Sequence, residues 1–225
     1  MRVDIVTIFP DMLSGLFEYG VIKAARETGL IQIELHNLRD YADNKQKQVD
    51  DRPYGGGAGM VLKVEPLVRA VEALKQPDKK VQVILTSAQG KRLDQGMAKS
   101  FSDFDQLILL CGRYEGVDER VLSVVDAEVS IGDYVLSGGE VPAAVITEVV
   151  CRMIPGVVGD EESVVTDSFY QEQLLGVPQY TRPPEFRGLK VPEVLMSGNH
   201  EQIATWRREQ SLKKTLENHP DLLKN

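Results

Sequence analysis

Four short stretches of this 225-residue chain combine glycines, charges and aromatic rings at spacings that could do chemistry. The first, VDDRPYGGGAGM (49–60), sets Gly55, Gly56, Gly57 and Gly59 behind Asp50, Asp51, Arg52 and Tyr54. Glycines at this density allow backbone conformations closed to other residues and let a ligand lie against the main chain. A phosphate loop would need G-x-x-x-x-G-K-[ST], with lysine on the phosphates and a hydroxyl on magnesium. Here Met60 and Val61 follow Gly59, so that pattern fails. The Gly90-Lys91 pair is followed by Arg92 and has Leu85 where the first glycine belongs. The dinucleotide pattern G-x-G-x-x-G also fails, because Met60 stands in the third place after Gly55 and Gly57. A substrate-facing loop and a mobile turn without function remain open, with the charged and aromatic lead favouring the first.

The second stretch, CGRYEGVDER (111–120), follows an apolar run ending in Leu109, Leu110 and Cys111. In open α/β sheets, ligands collect where strands end. Gly112 would let backbone amides reach a ligand there, and Glu115 could accept hydrogen bonds from an amine or hydroxyl. A charged helix start, with Asp118 and Glu119 near the positive end, explains the same residues equally well. In the third stretch, SIGDYVLSGGE (130–140), Gly132, Gly138 and Gly139 bracket Tyr134, Val135 and Leu136. Such an apolar, glycine-flanked loop suits a flat heterocycle held by backbone hydrogen bonds. The fourth, VVTDSF (164–169), places Asp167 in a segment that otherwise reads as a solvated turn. Arg152, fifteen positions earlier, reads by default as a helix C-terminal charge.

The elements that must position these loops alternate between two periods. RVDIVTI (2–8), IQIELHN (31–37), VQVILT (81–86) and QLILLCG (106–112) have strand length and strand composition. Helical spacing is predicted over 11–28, over 65–75 with Pro66 in its first turn, and from Gly139 or Pro142 to 153. A final helix is predicted over 199–217, with Asn199 as N-cap. This rhythm implies an α/β fold whose mainly parallel sheet is covered on both faces. Beyond about 160, prolines, glycines and acids without sustained period suggest a linker and then a small helical domain.

Composition narrows the function classes. Hydrophobic residues make up 42% and charged residues 27%, as in ordinary soluble domains. There is no apolar run of membrane-spanning length and no signal-peptide pattern, so the expected location is cytoplasmic, with no membrane partner. Two cysteines and three scattered histidines show no metal-ligand spacing, and no metal site is expected. The net charge of −8 is unevenly spread. Residues 1–169 hold 18 Lys and Arg against 27 Asp and Glu, whereas 170–225 hold 8 against 7. Screening confines distant charge to about 10 Å, so an acidic protein can still carry a local surface for RNA.

Taken together, VDDRPYGGGAGM, CGRYEGVDERV, SIGDYVLSGGE and LMSGNHEQIATWRREQSL closely resemble the bacterial tRNA (guanine-N1)-methyltransferases of the TrmD family, in the SPOUT class. The likeness runs in order from IFPDM to WRREQSL, covering nearly the whole chain. It implies a SPOUT-type parallel sheet with a deep trefoil knot, plus a small C-terminal helical domain. The implied division is a knotted domain over 1–160 that binds S-adenosylmethionine, a linker over 161–169, and a tRNA-binding domain over 170–225. The resemblance assigns the methyl donor to Thr86, Ser87, Gly112, Tyr114, Glu115, the run Ile131, Gly132, Asp133, Tyr134, Val135 and Leu136, then Gly138, Gly139 and Pro142. It places Arg152 and Asp167 at the reaction centre.

The implied reaction is methylation of N1 of the guanosine at position 37 of tRNA, 3′ of the anticodon. That nitrogen carries a proton at neutral pH, so a general base must remove it as the N–C bond forms. The resemblance gives this role to Asp167 and gives Arg152 the charge developing on the guanine oxygen. It implies a homodimer with shared active sites, and recognition of the anticodon stem-loop by Asp50, Gly59, Arg182, Arg207 and Arg208. Arg187, Lys213 and Lys214 are further phosphate contacts by type. The family is associated with magnesium, although no metal cage is legible. Ala88 and Ala58 stand where relatives commonly carry proline.

Overall fold

The computed structural model describes residues 1–159, 167–170 and 174–223. The chain divides into two compact units, Met1–Gly159 and Asp160–Asn225. Of the predicted linker 161–169, residues 161–166 lie outside the described residues.

The first unit is built on five parallel strands: β1 (Arg2–Thr7), β2 (Gln32–Asn37), β5 (Val81–Arg92), β6 (Gln106–Cys111) and β7 (Ala127–Ser130). Their order across the sheet is β2-β1-β6-β5-β7. Strand β6, QLILLC, is buried along its whole length, as expected of a central parallel strand covered on both faces. Successive side chains of a strand point to opposite faces, and the core divides accordingly. Val3, Ile5, Leu107 and Leu109 pack with Ile22, Phe101, Ile146 and Val150 from helices α1 (Gly20–Glu27), α3 (Gln95–Phe101) and α4 (Glu140–Cys151). Val6, Val83, Ile108 and Leu110 pack with Leu67, Ala70 and Val71 of α2 (Val64–Leu74). Two short strands, β3 (Asp50–Asp51) and β4 (Val61–Leu62), pair antiparallel and close the glycine stretch into a loop.

The predicted strands and the helices at 65–75, 139–153 and 199–217 are present within a few residues. The single helix predicted over 11–28 is instead a 3₁₀ turn at Pro10–Met12 followed by α1. Gly15 and Gly20 interrupt that stretch, and Gly20 takes φ +64, a conformation that glycine alone adopts without cost. Strand β5 continues past Thr86 to Arg92, with its pairing to β7 shifted between Thr86 and Lys91. Helix α3 and strand β7 were not expected. The first is seven residues containing a glycine, and the second is four residues with one acid, both too short for periodicity to declare.

The second unit carries a hairpin of β8 (Glu185–Phe186) and β9 (Leu189–Lys190), a short helix α5 (Glu193–Met196) and the long helix α6 (His200–Asn218). Asn199 caps α6 by accepting the N–H of Gln202 at 3.2 Å. Among the described residues no helix is long and apolar enough to cross a membrane.

One charged group lies inside the sheet. The Asp4 side chain is 0% exposed and accepts from Arg2 Nε at 2.8 Å, Arg2 Nη2 at 2.7 Å and Gln106 Nε2 at 2.7 Å. His36 Nε2 lies 2.7 Å from the same carboxylate. Burial works to raise the Asp4 pKa, but hydrogen bonds from His36, Arg2 and Gln106 outweigh it and hold it at about 2. A folded-state value below the unfolded one means stabilisation that is complete above about pH 4 and lost as pH falls toward 2. Asp4→Asn is expected to lower the unfolding free energy by about 2 kcal/mol at pH 7. Urea titrations repeated from pH 4 downward should show this gap narrowing.

Candidate active site

Where β5 bulges and β6 and β7 end, three loops enclose an open cleft of about 250 Å³. Thr86 and Ser87 line it from β5, and Gly112, Tyr114 and Glu115 from the loop after β6. Ile131, Gly132, Tyr134, Val135, Leu136, Gly138 and Gly139 line it from the loop after β7, with Pro142 in the first turn of α4. The structure therefore brings the second and third sequence stretches together. Asp133 is exposed and does not line the cleft.

The walls are held by contacts that tolerate no extra atoms. Gly139 donates its N–H to Gly112 O at 2.8 Å, and its carbonyl lies 3.3 Å from Thr86 Oγ1. A Cβ on Gly139 would overlap Thr86 Oγ1 and come within 2.8 Å of Gly112 N. A Cβ on Gly138 would collide with the Arg113 guanidinium. That guanidinium donates from Nε to Glu140 at 3.0 Å, and the Glu140 carboxylate also accepts the Thr7 hydroxyl at 2.7 Å. The Glu140 side chain is 1% exposed and that of Arg113 15%. Arg113 also stands 4.8 Å over the Phe9 ring. One buried carboxylate thus ties the end of β1, the loop after β6 and the start of α4. No local pattern signals it: an acid opening a helix reads as an exposed first-turn charge, and only long-range packing buries it.

Among the described residues lining the cleft, Arg113 is the one cation, set against Glu115, Glu119 and Glu128. Because Glu140 already engages Arg113, the cleft suits a cationic ligand better than a phosphorylated one. The Cys111 thiol beneath it is pushed well up by burial and by the nearby Glu140 charge, which leaves it a protonated packing group.

The glycine loop joins this cleft through its far end. Glu115 N–H bonds Met60 O at 3.0 Å, Leu62 N–H bonds Gly116 O at 3.0 Å, and Asp118 N–H bonds Leu62 O at 2.9 Å. Gly59 has φ +90, and a Cβ there would meet the Glu115 carboxylate at 2.6 Å. Gly55, Gly56 and Gly57 also have positive φ, but added Cβ atoms would meet nothing. Their requirement is conformational, whereas Gly59 has a close neighbour as well. Asp50 lies in β3, its backbone paired with Leu62.

The two residues expected at the reaction centre belong to different units. Arg152 caps the C-terminal end of α4, about 15 Å along the helix from Pro142 by the usual rise per residue, and does not line the cleft. Asp167 belongs to the second unit and is exposed. Its neighbours are anchored there: Ser168 Oγ accepts Gly176 N–H at 2.8 Å, and Phe169 N–H bonds Leu174 O at 3.0 Å. Leu175 is held in turn by α6, donating to Thr215 Oγ1 at 2.9 Å and accepting from Ser211 Oγ. Arg182, Arg207 and Arg208 are exposed on this unit. Among the described residues no group of three or more His, Cys, Asp or Glu side chains is placed to hold a metal ion.

The family model described as tRNA (Guanine-1)-methyltransferase TrmD matches residues 1–225. A protein of Fervidobacterium nodosum named tRNA (guanine-N(1)-)-methyltransferase is 57% identical over 222 residues, covering 99% of this chain and 89% of its own. Proteins of the same name from Dictyoglomus turgidum and Listeria welshimeri are 53% and 51% identical. These alignments cover 99% and 100% of this chain, and 90% and 93% of the relatives.

The packing generates a stability prediction. Glu140→Ala leaves a largely buried guanidinium without its carboxylate and should cost about 3–5 kcal/mol in chemical denaturation. Gly139→Ala should disrupt ligand binding in the cleft, measured by calorimetry, because the loops must part to admit the methyl group.

Proposed function

The chain belongs to the tRNA (guanine-1)-methyltransferase TrmD family, and on that premise we propose that it methylates N1 of guanosine 37 of tRNA, using S-adenosylmethionine. The observation that carries this reading is the cleft, where two of the chemically suggestive stretches meet around a ligand space with three acids and one engaged cation. S-adenosylmethionine, when bound, supplies an electrophilic methyl group on a positively charged sulfur. The lining fits such a group: Ile131, Leu136 and Pro142 offer apolar walls to a heterocycle, and Glu115 offers an acceptor to a hydroxyl or ammonium.

The remaining chemistry falls to this chain's own side chains. Asp167 takes the proton from guanine N1, freeing the lone pair for attack. Arg152 stabilises the charge that moves to the guanine oxygen, and a fixed guanidinium does this without reorganising at the moment of reaction. No step is assigned to magnesium. The position of Arg152 at the end of α4 away from Pro142 supports a site completed by a second subunit. Val141 and Val145 of α4, with Met12, Leu16 and Tyr19 of the N-terminal turns, are exposed apolar side chains suited to a homodimer face. A deep trefoil knot belongs to the same reading, supported by the return of the chain after β7 to wedge Gly139 between Thr86 and Gly112. The second unit serves tRNA binding through Arg182, Arg207, Arg208, Lys213 and Lys214, and the cytoplasm is the compartment of that substrate.

Incubation with labelled methyl donor and tRNA bearing guanosine or adenosine at position 37, followed by nucleoside analysis, tests the reaction. N1-methylguanosine should form only on the guanosine tRNA. Asp167→Asn should lower kcat by about 100-fold or more while donor affinity in calorimetry stays within about twofold. Near wild-type turnover in that variant would remove the base assignment.

A further inference from the structure

The second unit has an unusual hairpin tip. Phe186 pairs with Leu189 and Glu185 with Lys190, leaving Arg187 and Gly188 as a two-residue connection. Their φ values are +51 and +81, the paired positive conformation of a tight primed turn. Asparagine or glycine ordinarily occupies the first of these positions, and an arginine there is held in a disfavoured conformation. Local backbone strain of this kind concentrates at functional sites.

The side chains give that strain a purpose. Phe186 is 59% exposed and Leu189 76% exposed, and the register puts both on one face of the hairpin. The Arg187 guanidinium stands over the Phe186 ring, 5.1 Å from its centroid. Between 182 and 190 there are three cations, Arg182, Arg187 and Lys190, and one acid, Glu185. The Lys190 ammonium is 3.9 Å from that acid, at the limit of an ion pair. A flat exposed ring, an apolar neighbour and an excess of positive charge match an unstacked nucleobase between two phosphates. An apolar protein surface would match Phe186 and Leu189 but not the cations.

We propose that the hairpin is a stacking platform for an unpaired nucleotide of the RNA substrate, other than the guanosine that is methylated. Phe186 and Leu189 take the face of the base, and Arg187 and Lys190 take its phosphates. The proposal rests on the reading that this chain acts on tRNA.

Three variants of the full chain test it. Phe186→Ser should raise the Kd for tRNA about tenfold, the loss expected for one base–aromatic stack. Arg187→Gly, which suits the positive φ and so keeps the turn, should weaken binding and reduce the salt dependence by about one phosphate contact. Phe186→Trp should bind within about twofold of wild type, with fluorescence quenched by tRNA beyond the change shown by Trp206 in the wild-type protein. Donor affinity should be the same in all three. Phe186→Ser binding tRNA as tightly as wild type, or altering sedimentation instead of tRNA affinity, would overturn the platform while wild-type methylation of tRNA leaves the parent reading intact. A wild-type protein that fails to bind tRNA would end both.

Discussion

The buried carboxylate of Glu140 is the constraint on which the rest of the candidate site depends. It opens α4, where the unpaired N–H groups of a helix start favour negative charge, and it accepts from Thr7 and Arg113. A buried ion pair of this sort need not add net stability, because desolvation offsets much of the attraction. It does restrict geometry. With Arg113 drawn to Glu140, Gly138 must be a glycine, and with Gly139 wedged against Thr86 and Gly112 the next position must be one too. The cleft takes its shape from these exclusions.

Charge placement resolves the tension between an acidic protein and an RNA partner. The first unit collects acids around the cleft, which suits a cationic methyl donor. The second unit escapes the acidic excess, with 8 Lys and Arg against 7 acids over 170–225. It exposes Arg187 and Lys190 on the β8–β9 hairpin and Arg207, Arg208, Lys213 and Lys214 on α6. Helix α6 has a second task there: Ser211 and Thr215, one turn apart on its buried face, hold both backbone groups of Leu175. The adjoining residues in turn bond Ser168 and Phe169, next to Asp167. The proposed substrate contacts and the proposed base therefore share one scaffold.

Legibility in the sequence followed the range of the forces involved. Strand β6 was readable because a parallel strand buried on both faces must be apolar throughout, and α6 because Asn199 supplies a local cap. The stretch 11–28 misled because apolar spacing alone does not weigh two glycines. Strand β7 escaped notice since Ala127–Ser130 is paired by β5, far away in the chain, rather than by its own pattern. Among site residues, Gly112 and the glycine-flanked loop around Tyr134–Leu136 are legible from their own types, Thr86 only through the family resemblance, whereas Arg113, Thr7 and Glu140 carry no local sign of the network they form.

By itself the sequence determined the α/β class, the exclusion of phosphate-loop and dinucleotide motifs, and the family, because local periodicity and long ordered motifs survive in one dimension. The tertiary structure alone decided why the glycines are there. Gly59, expected at the RNA, lies against Glu115, so the glycine loop is coupled to the cleft through that carboxylate. A steric exclusion between residues 56 positions apart has no local signature, since it exists only once the sheet has brought two loops into contact.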